Sequence, residues 1–355
     1  MKRIKVNLID DPNVAYKKVE VENYKEEMNL KPIKPDNFNN FRIPKNYHVN
    51  EAKILGMSNL ILNKNHICAI NDMVFNVRNR DKIFHKNEKN FKHDNRDLYF
   101  ETINEESISK GIFLGSHWNY GHWLFNHLAR LYYCQSSYKD YPIIVNGSID
   151  YDKFKIFKYF DIPDENIKIL NAGTLLNVEQ LIIPQMPWHS HNGKLWWSPS
   201  SFKFLREKMG CHEKLNNKCN TNIFITRSSA RWRRVKNEIQ LFNIAKKYNF
   251  ELLDVGTLTV DEQINLGKQT RNLISPLGAN SNFFINMPIG AKFLELSPPI
   301  NQMNVGGLFS IASQLDYFQL IGKPDKQENQ SELDSDYFVD EDEFQKKIQD
   351  FCDLS

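Results

Sequence analysis

At 355 residues, 41% hydrophobic and 12% aromatic, the chain is long and apolar enough for two packed domains, which excludes a wholly disordered protein. Its 46 Lys and Arg against 43 Asp and Glu leave a net charge of +3, too slight to indicate a nucleic-acid partner. No run approaches the roughly 18 apolar residues of a membrane span, and the basic start M-K-R-I-K-V lacks the apolar core of a signal peptide. The expectation is a cytoplasmic protein whose mildly basic surface suits phosphate-bearing substrates or the inner face of a membrane. The five cysteines (Cys68, Cys134, Cys211, Cys219, Cys352) are scattered, odd in number and without a C-x-x-C, which favours free thiols in a reducing compartment. Cys211, His212 and Cys219 fall short of the four ligands of a closed zinc site.

Taken in chain order, residues 1 to about 50 read as strands and loops, and 52–77 as a small β-meander. Residues 78–98 are charged and polar, an exposed linker. Alternation then begins. G-I-F-L-G (111–115) predicts a buried strand, and H-W-L-F-N-H-L-A-R-L-Y-Y-C-Q (122–135) a helix with Trp123, Phe125, Leu128, Leu131 and Tyr132 at helical spacing. Y-P-I-I-V-N-G predicts a strand, D-Y-D-K-F-K-I-F-K-Y-F-D-I a helix, and I-K-I-L-N and V-E-Q-L-I-I-P-Q two strands. S-P-S-S-F-K-F-L-R-E-K-M-G is a capped helix, with Ser198 or Ser200 near its start and Gly210 past its end. After a polar hinge (212–221) a second series follows: strands at N-I-F-I-T-R, F-E-L-L-D-V, R-N-L-I-S-P-L-G and A-K-F-L-E-L-S-P-P, helices at N-E-I-Q-L-F-N-I-A-K-K-Y-N and T-V-D-E-Q-I-N-L-G-K-Q-T, and a turn and helix at N-S-N-F-F-I-N-M-P. An acidic tail (325–343), read as solvated and without a chemical role, precedes a last helix, E-D-E-F-Q-K-K-I-Q-D-F-C. Two βα series imply an α/β protein of two doubly wound, Rossmann-like halves facing a cleft.

Three stretches carry chemistry. His117, His122 and His127 lie five apart, and an α-helix of about 3.6 residues per turn cannot hold all three on one face, so they are not a helical metal comb. T-R-S-S-A-R-W-R-R-V-K-N-E (226–238) places Arg227, Arg231, Arg233, Arg234 and Lys236 directly after a predicted strand, where open α/β sheets bind ligands. Guanidinium groups bind phosphate oxygens bidentately, so the cluster could hold a diphosphate; the alternative is a solvated basic turn. In S-P-L-G-A-N-S-N (275–282), Gly278 and Ala279 at a strand end permit close backbone approach, the following helix start with Asn280 offers free N–H groups, and Ser281 and Asn282 could bond a sugar or ribose hydroxyl. P-W-H-S-H-N-G-K-L-W-W (187–197) reads as a loop, either resting an acceptor sugar on its aromatic faces or partly buried. No G-x-G-x-x-G follows the first strand and no G-x-x-x-x-G-K-[ST] occurs, against a dehydrogenase or P-loop enzyme.

In this order, N-Y-G-H-W-L…R (119–130), the arginine stretch (226–238), E-Q (262–263) and P-L-G-A…N-x-x-x-x-M-P-x-G-A-x-x-L-E-L (276–296) resemble glycosyltransferase family 61, from about residue 110 onward. The resemblance implies a GT-B-like fold: an N-terminal β-rich lead-in (1–108), an acceptor domain (109–212), a nucleotide-sugar domain (213–325), and an acidic tail with a C-terminal helix (326–355). It implies an inverting transfer from a nucleotide-sugar to a glycan or lipid-linked acceptor, in bacterial capsule or surface-polysaccharide synthesis, with no cofactor and no bound metal. Arg227, Ala230, Arg233, Arg234, Asn237 and Glu238 match the family's arginine motif, with Arg227 and Arg234 implied at the diphosphate; His122, Trp123 and Arg130 match its HW…R motif. The chain departs from the family at Asn126 (commonly Asp), Ala129 (Pro), Leu277 (His) and the run Asn280-Ser281-Asn282-Phe283. An inverting transfer needs a base for the acceptor hydroxyl and cations for the departing diphosphate. His122 is the expected base, with Glu295 or Asp316 as alternatives. The rival readings are a non-catalytic nucleotide- or glycan-binding member and a metal-dependent hydrolase built on the histidines.

Overall fold

The computed structural model describes residues 2–6, 17–18, 47–56, 60–63, 66–70, 91–94, 97–117, 119–147, 151–171, 173–184, 187–191, 194–298, 313–325 and 335–353. Most of the expected lead-in before residue 47, most of the 78–98 linker and residues 326–334 of the acidic tail lie outside them. The chain folds into two compact units, Met1–Ser201 and Phe202–Ser355. The boundary falls ahead of the hinge expected at 212–221, because Arg206 is drawn into the second unit. Its guanidinium is buried and donates to the carbonyls of Ile285 and Met287 at 2.9 and 2.7 Å.

In the first unit, β1 (Lys2–Val6), β5 (Phe91–Asp94) and β6 (Asp97–Thr102) form an antiparallel sheet in the order β1-β6-β5. The main sheet runs β9 (Ile167–Leu170), β8 (Ile143–Asn146), β7 (Asn104–Phe113), β10 (Thr174–Ile183), β2 (Tyr47–Leu55), β3 (Leu60–Asn63) and β4 (His66–Ile70). Its first four strands are parallel and the last three antiparallel. The β-meander expected at 52–77 is present over β2–β4, yet it extends the parallel sheet through β2 and β10 instead of standing ahead of it. β7 is longer than its apolar end suggests. Its polar first half, N-E-E-S-I-S-K, is exposed or half-buried, and the ladder to β10 carries it from Asn104 to Ile112. One core gathers Val49, Ile54, Ile61, Phe113, Ile144, Leu176 and Leu181. Burying each such side chain is worth about 1.5–3 kcal/mol.

The predicted helix 122–135 takes a less regular form: α1 (Tyr120–His122), a π turn over Trp123–His127 and a 3-10 helix over Leu128–Cys134. Leu128 N bonds the carbonyls of both Leu124 and Trp123, and Trp123 to Leu131 are all buried. A segment buried on every side takes its winding from its neighbours, so helical spacing is a weak guide to it. Residues 187–197, read as a loop, form the hairpin β11 (Trp188–His191) and β12 (Lys194–Trp197). α2 (Pro199–Lys208) is capped by Ser198, whose Oγ accepts from Ser201 N at 3.2 Å, and Gly210 past its end has φ 68°.

In the second unit, five parallel strands alternate with helices: β13 (Thr221–Ile225), α3 (Glu238–Lys246), β14 (Phe250–Leu253), α4 (Val260–Gly267), β15 (Thr270–Pro276), β16 (Lys292–Ser297) and β17 (Asp316–Ile321). The hairpin β18 (Lys323–Pro324) with β19 (Tyr337–Phe338) and α5 (Glu341–Asp353) close it. One core holds Phe224, Ile274, Leu294 and Leu296 against Leu241 of α3 and Phe344, Ile348 and Phe351 of α5. The sheet order is β14-β13-β15-β16-β17, so the chain steps to one side of β13 and then to the other. The first unit does the same around β7, with β8 and β9 on one side and β10 on the other. Such a reversal opens a crevice at the carboxyl ends of the two strands involved. The end of β7 leads into the histidines, and the ends of β13 and β15 lead into the arginine and glycine stretches.

Candidate functional site

At the end of β13, Glu238 of α3 holds the departing chain, accepting from the Thr226 hydroxyl and, at 2.8 Å, from Arg227 N. Arg227 is 7% exposed and sends its side chain across to the end of β15. A Cβ on Gly278 would fall 1.8 Å from Arg227 Nη1, so only glycine leaves space for the guanidinium. Arg227 Nη2 donates to the carbonyl of Trp232 at 2.9 Å. The buried Nε atoms of Arg227 and Arg233 have no hydrogen-bond partner among the described residues. Desolvation, followed by the Arg233 charge, lowers the Arg227 pKa. A guanidinium nevertheless stays charged. Two cations pressed together with donors to spare make a place for an anion.

The remaining arginine-motif residues have other work. Arg231 lies over the Trp232 ring at 4.4 Å. Arg234, expected at the diphosphate, turns to Asp336: its Nε and Nη2 donate to Oδ2 at 3.0 and 2.7 Å and its backbone N to Oδ1 at 2.9 Å. Asn237 exchanges bonds with the backbone of Val339, at 2.8 and 3.2 Å. Arg234 and Asn237 thus hold the C-terminal segment. One reading is corrected: the acidic tail is not wholly solvated, because Asp336 is buried with its carboxyl held below the usual range by Arg234. The E-Q pair is structural as well. Glu262 closes a capping box with Thr259, and Gln263 Nε2 donates to the carbonyls of Val255 and Leu258.

Gly278 and Ala279 sit on the rim, and Ala279 opens the 3-10 helix Ala279–Asn286 that carries Asn280, Ser281 and Asn282. Ser281 spends its hydroxyl on the Gly278 carbonyl at 2.7 Å, while Asn280 and Asn282 are half-buried. Glu295, late in β16 beside Ser275, is 1% exposed. Its Oε1 accepts from Ser297 at 2.6 Å and Tyr317 at 3.3 Å, its Oε2 has no partner among the described residues, and burial raises its pKa. Asp316 opens β17 opposite Lys292, the first residue of β16, at the amino end of the sheet. That places it at the end opposite the rim and removes it as a base there.

In the first unit β7 runs into Gly115, whose φ of 67° turns the chain at little cost only for glycine. The Leu114 carbonyl accepts from His127 Nδ1 at 2.6 Å and Arg130 Nη1 at 2.7 Å. Both donors are buried; desolvation brings the His127 pKa to about 3 and that of Arg130 to about 9. Asn119 caps α1, its Oδ1 accepting from Gly121 N and His122 N at 2.9 and 3.3 Å, and its own N donates to His117 Nδ1 at 3.0 Å. His122 reaches solvent. Its ring lies 4.6 Å from that of His117, and Asn126 Nδ2 stands 2.9 Å from its Nδ1. Surrounding protein lowers the His122 pKa below the usual value, keeping the ring neutral near pH 7. The three histidines are thus unequal: one exposed, one tied to a backbone amide, one buried. Among the described residues no three His, Cys, Asp or Glu are grouped to hold a metal ion, and no helix is long and apolar enough to cross a membrane.

Parallel strands thus lead into an arginine-lined rim in the second unit and a neutral, solvent-facing histidine in the first. Residues 120–294 match the family model Glycosyltransferase 61. This match supports assignment of the chain to that family and glycosyltransferase activity, with a sugar donor and a glycan acceptor in general terms. No curated protein matches it. Sequence reasoning overlooked Asn119 and Asp336. Asn119 carried a signal, as an N-cap residue directly before the helix; Asp336 had none, because its partner is 102 residues away.

Proposed function

We propose that the chain is an inverting, GT-B-type transferase that moves a sugar from a nucleotide-sugar onto a glycan or lipid-linked acceptor, donor on the second unit and acceptor on the first. One observation carries this reading: Arg227 seated on Gly278 where β13 and β15 part, with unbonded guanidinium nitrogens on Arg227 and Arg233. In the reaction His122 takes the proton of the acceptor hydroxyl as its oxygen attacks the anomeric carbon. The bond from that carbon to the diphosphate breaks on the opposite side. Arg227 and Arg233 stabilise the charge on the leaving diphosphate, the task a metal ion performs elsewhere. Surface-polysaccharide assembly at the inner face of a membrane is the setting that fits such an acceptor and a cytoplasmic protein.

Arg227→Ala should weaken nucleoside diphosphate binding by about 1.5–3 kcal/mol, roughly ten- to a hundredfold, read by calorimetry. Gly278→Ala, whose Cβ displaces the same guanidinium, should give a smaller loss in the same direction. Unchanged affinity in Arg227→Ala would sink the reading. A thermal-shift panel of nucleotide-sugars then identifies the donor, since ligand stabilises the fold in proportion to the logarithm of its concentration over Kd.

A further inference from the structure

We propose that Trp232 is the surface on which the donor's base stacks, so that the diphosphate held by the arginines belongs to a nucleoside and not to a lipid. The inference rests on reading the second unit's rim as the donor site. Trp232 is 39% exposed, one of a handful of exposed large apolar side chains among the described residues. It lies in the arginine stretch, between Arg231 and Arg233. The Arg231 guanidinium rests 4.4 Å from the indole centroid, so ring and cation already form a layered pair. The Trp232 carbonyl accepts from Arg227 Nη2 at 2.9 Å, which ties the backbone under the indole to the guanidinium seated on Gly278. Arg233 follows at φ 55°, turning the chain directly after the indole. A large flat ring is therefore held at the edge of an anion site and left partly uncovered.

A nucleobase satisfies that edge: it presents a π-face to indole or guanidinium while its diphosphate meets Arg227 and Arg233. Stacking of this kind tolerates any base, because every base has such a face. Base identity should accordingly matter less than the presence of a base. A prenyl diphosphate offers the same anion but only a flexible chain to the indole.

The test compares inorganic pyrophosphate, uridine diphosphate, adenosine diphosphate and farnesyl diphosphate by calorimetry on wild type, Trp232→Ala, Trp232→Phe and Arg227→Ala. The expected result is that wild type binds both nucleotides more tightly than pyrophosphate. Trp232→Ala should lose about tenfold in nucleotide affinity with pyrophosphate unchanged, Trp232→Phe should keep most of it, and Arg227→Ala should weaken every probe. If Trp232→Ala binds nucleotides as wild type does while Arg227→Ala loses them, Trp232 has no stacking role and the donor site stands. An equal loss of pyrophosphate in Trp232→Ala would reduce the indole to a support for the arginine loop. Farnesyl diphosphate binding more tightly than the nucleotides overturns the choice of a nucleoside. Failure of wild type to bind any probe removes the donor site and this inference together.

Discussion

The rims of the two units occupy equivalent positions in their sheets and hold opposite chemistry. At the end of β7 stand groups that part with protons: His122 and His127, both less basic than an ordinary histidine. At the end of β13 stand Arg227, which keeps its charge although buried, and the half-buried Arg233. Each rim is braced by a buried cationic or imidazole donor on a backbone carbonyl, Leu114 in one and Trp232 in the other. The comparison teaches that topology supplies the place and the residues directly after the strand supply the chemistry.

The sharpest break of this contrast is His122→Ala. Glycosyl transfer should fall about a hundred- to ten-thousandfold while nucleoside diphosphate affinity stays at the wild-type value. A parallel fall in affinity would mean that the two rims do not divide the work. The next effect concerns stability. The His127 pKa is about 3 folded against 6.5 for the free side chain, so the unfolded chain binds the extra proton. The stability from keeping this ring neutral is present above pH 6.5 and is lost as pH falls from 6.5 toward 3, at about 1.4 kcal/mol per pH unit. Urea unfolding at pH 7, 6 and 5 should show a steeper decline for wild type than for His127→Asn; equal slopes would place the titration elsewhere. The smallest effect comes from Asn126→Asp. A carboxylate 2.9 Å from His122 Nδ1 would favour the imidazolium and raise its pKa by roughly one unit, with the His117 ring 4.6 Å away as its other ionisable neighbour. In the proposed reaction the neutral ring is the base, so the acid limb of the pH–rate profile should move up by the same amount. An unmoved limb would show that another group titrates there.

Much of this was legible in order along the chain. Alternating strands and helices, the Ser198 cap, Gly210 and the placement of the arginines after β13 follow from local rules of pattern and capping. The five-residue histidine step argued against one helical face, and the π turn between His122 and His127 sends one ring to solvent and the other inward. The acidic tail misled because charge predicts exposure, whereas Asp336 is buried on Arg234. Glu262 and Gln263, matched as a motif, serve the start of α4.

The sequence by itself determined the kind of element at most positions and which residues follow each strand, because hydrophobic period and turn chemistry act over a few neighbours. Only the tertiary structure decided that β2–β4 extend the parallel sheet, that Arg227 meets Gly278 while Arg234 meets Asp336, and that Asp316 stands at the far end. Each of those outcomes depends on strand order and on partners far apart in the chain, and no local pattern carries that information.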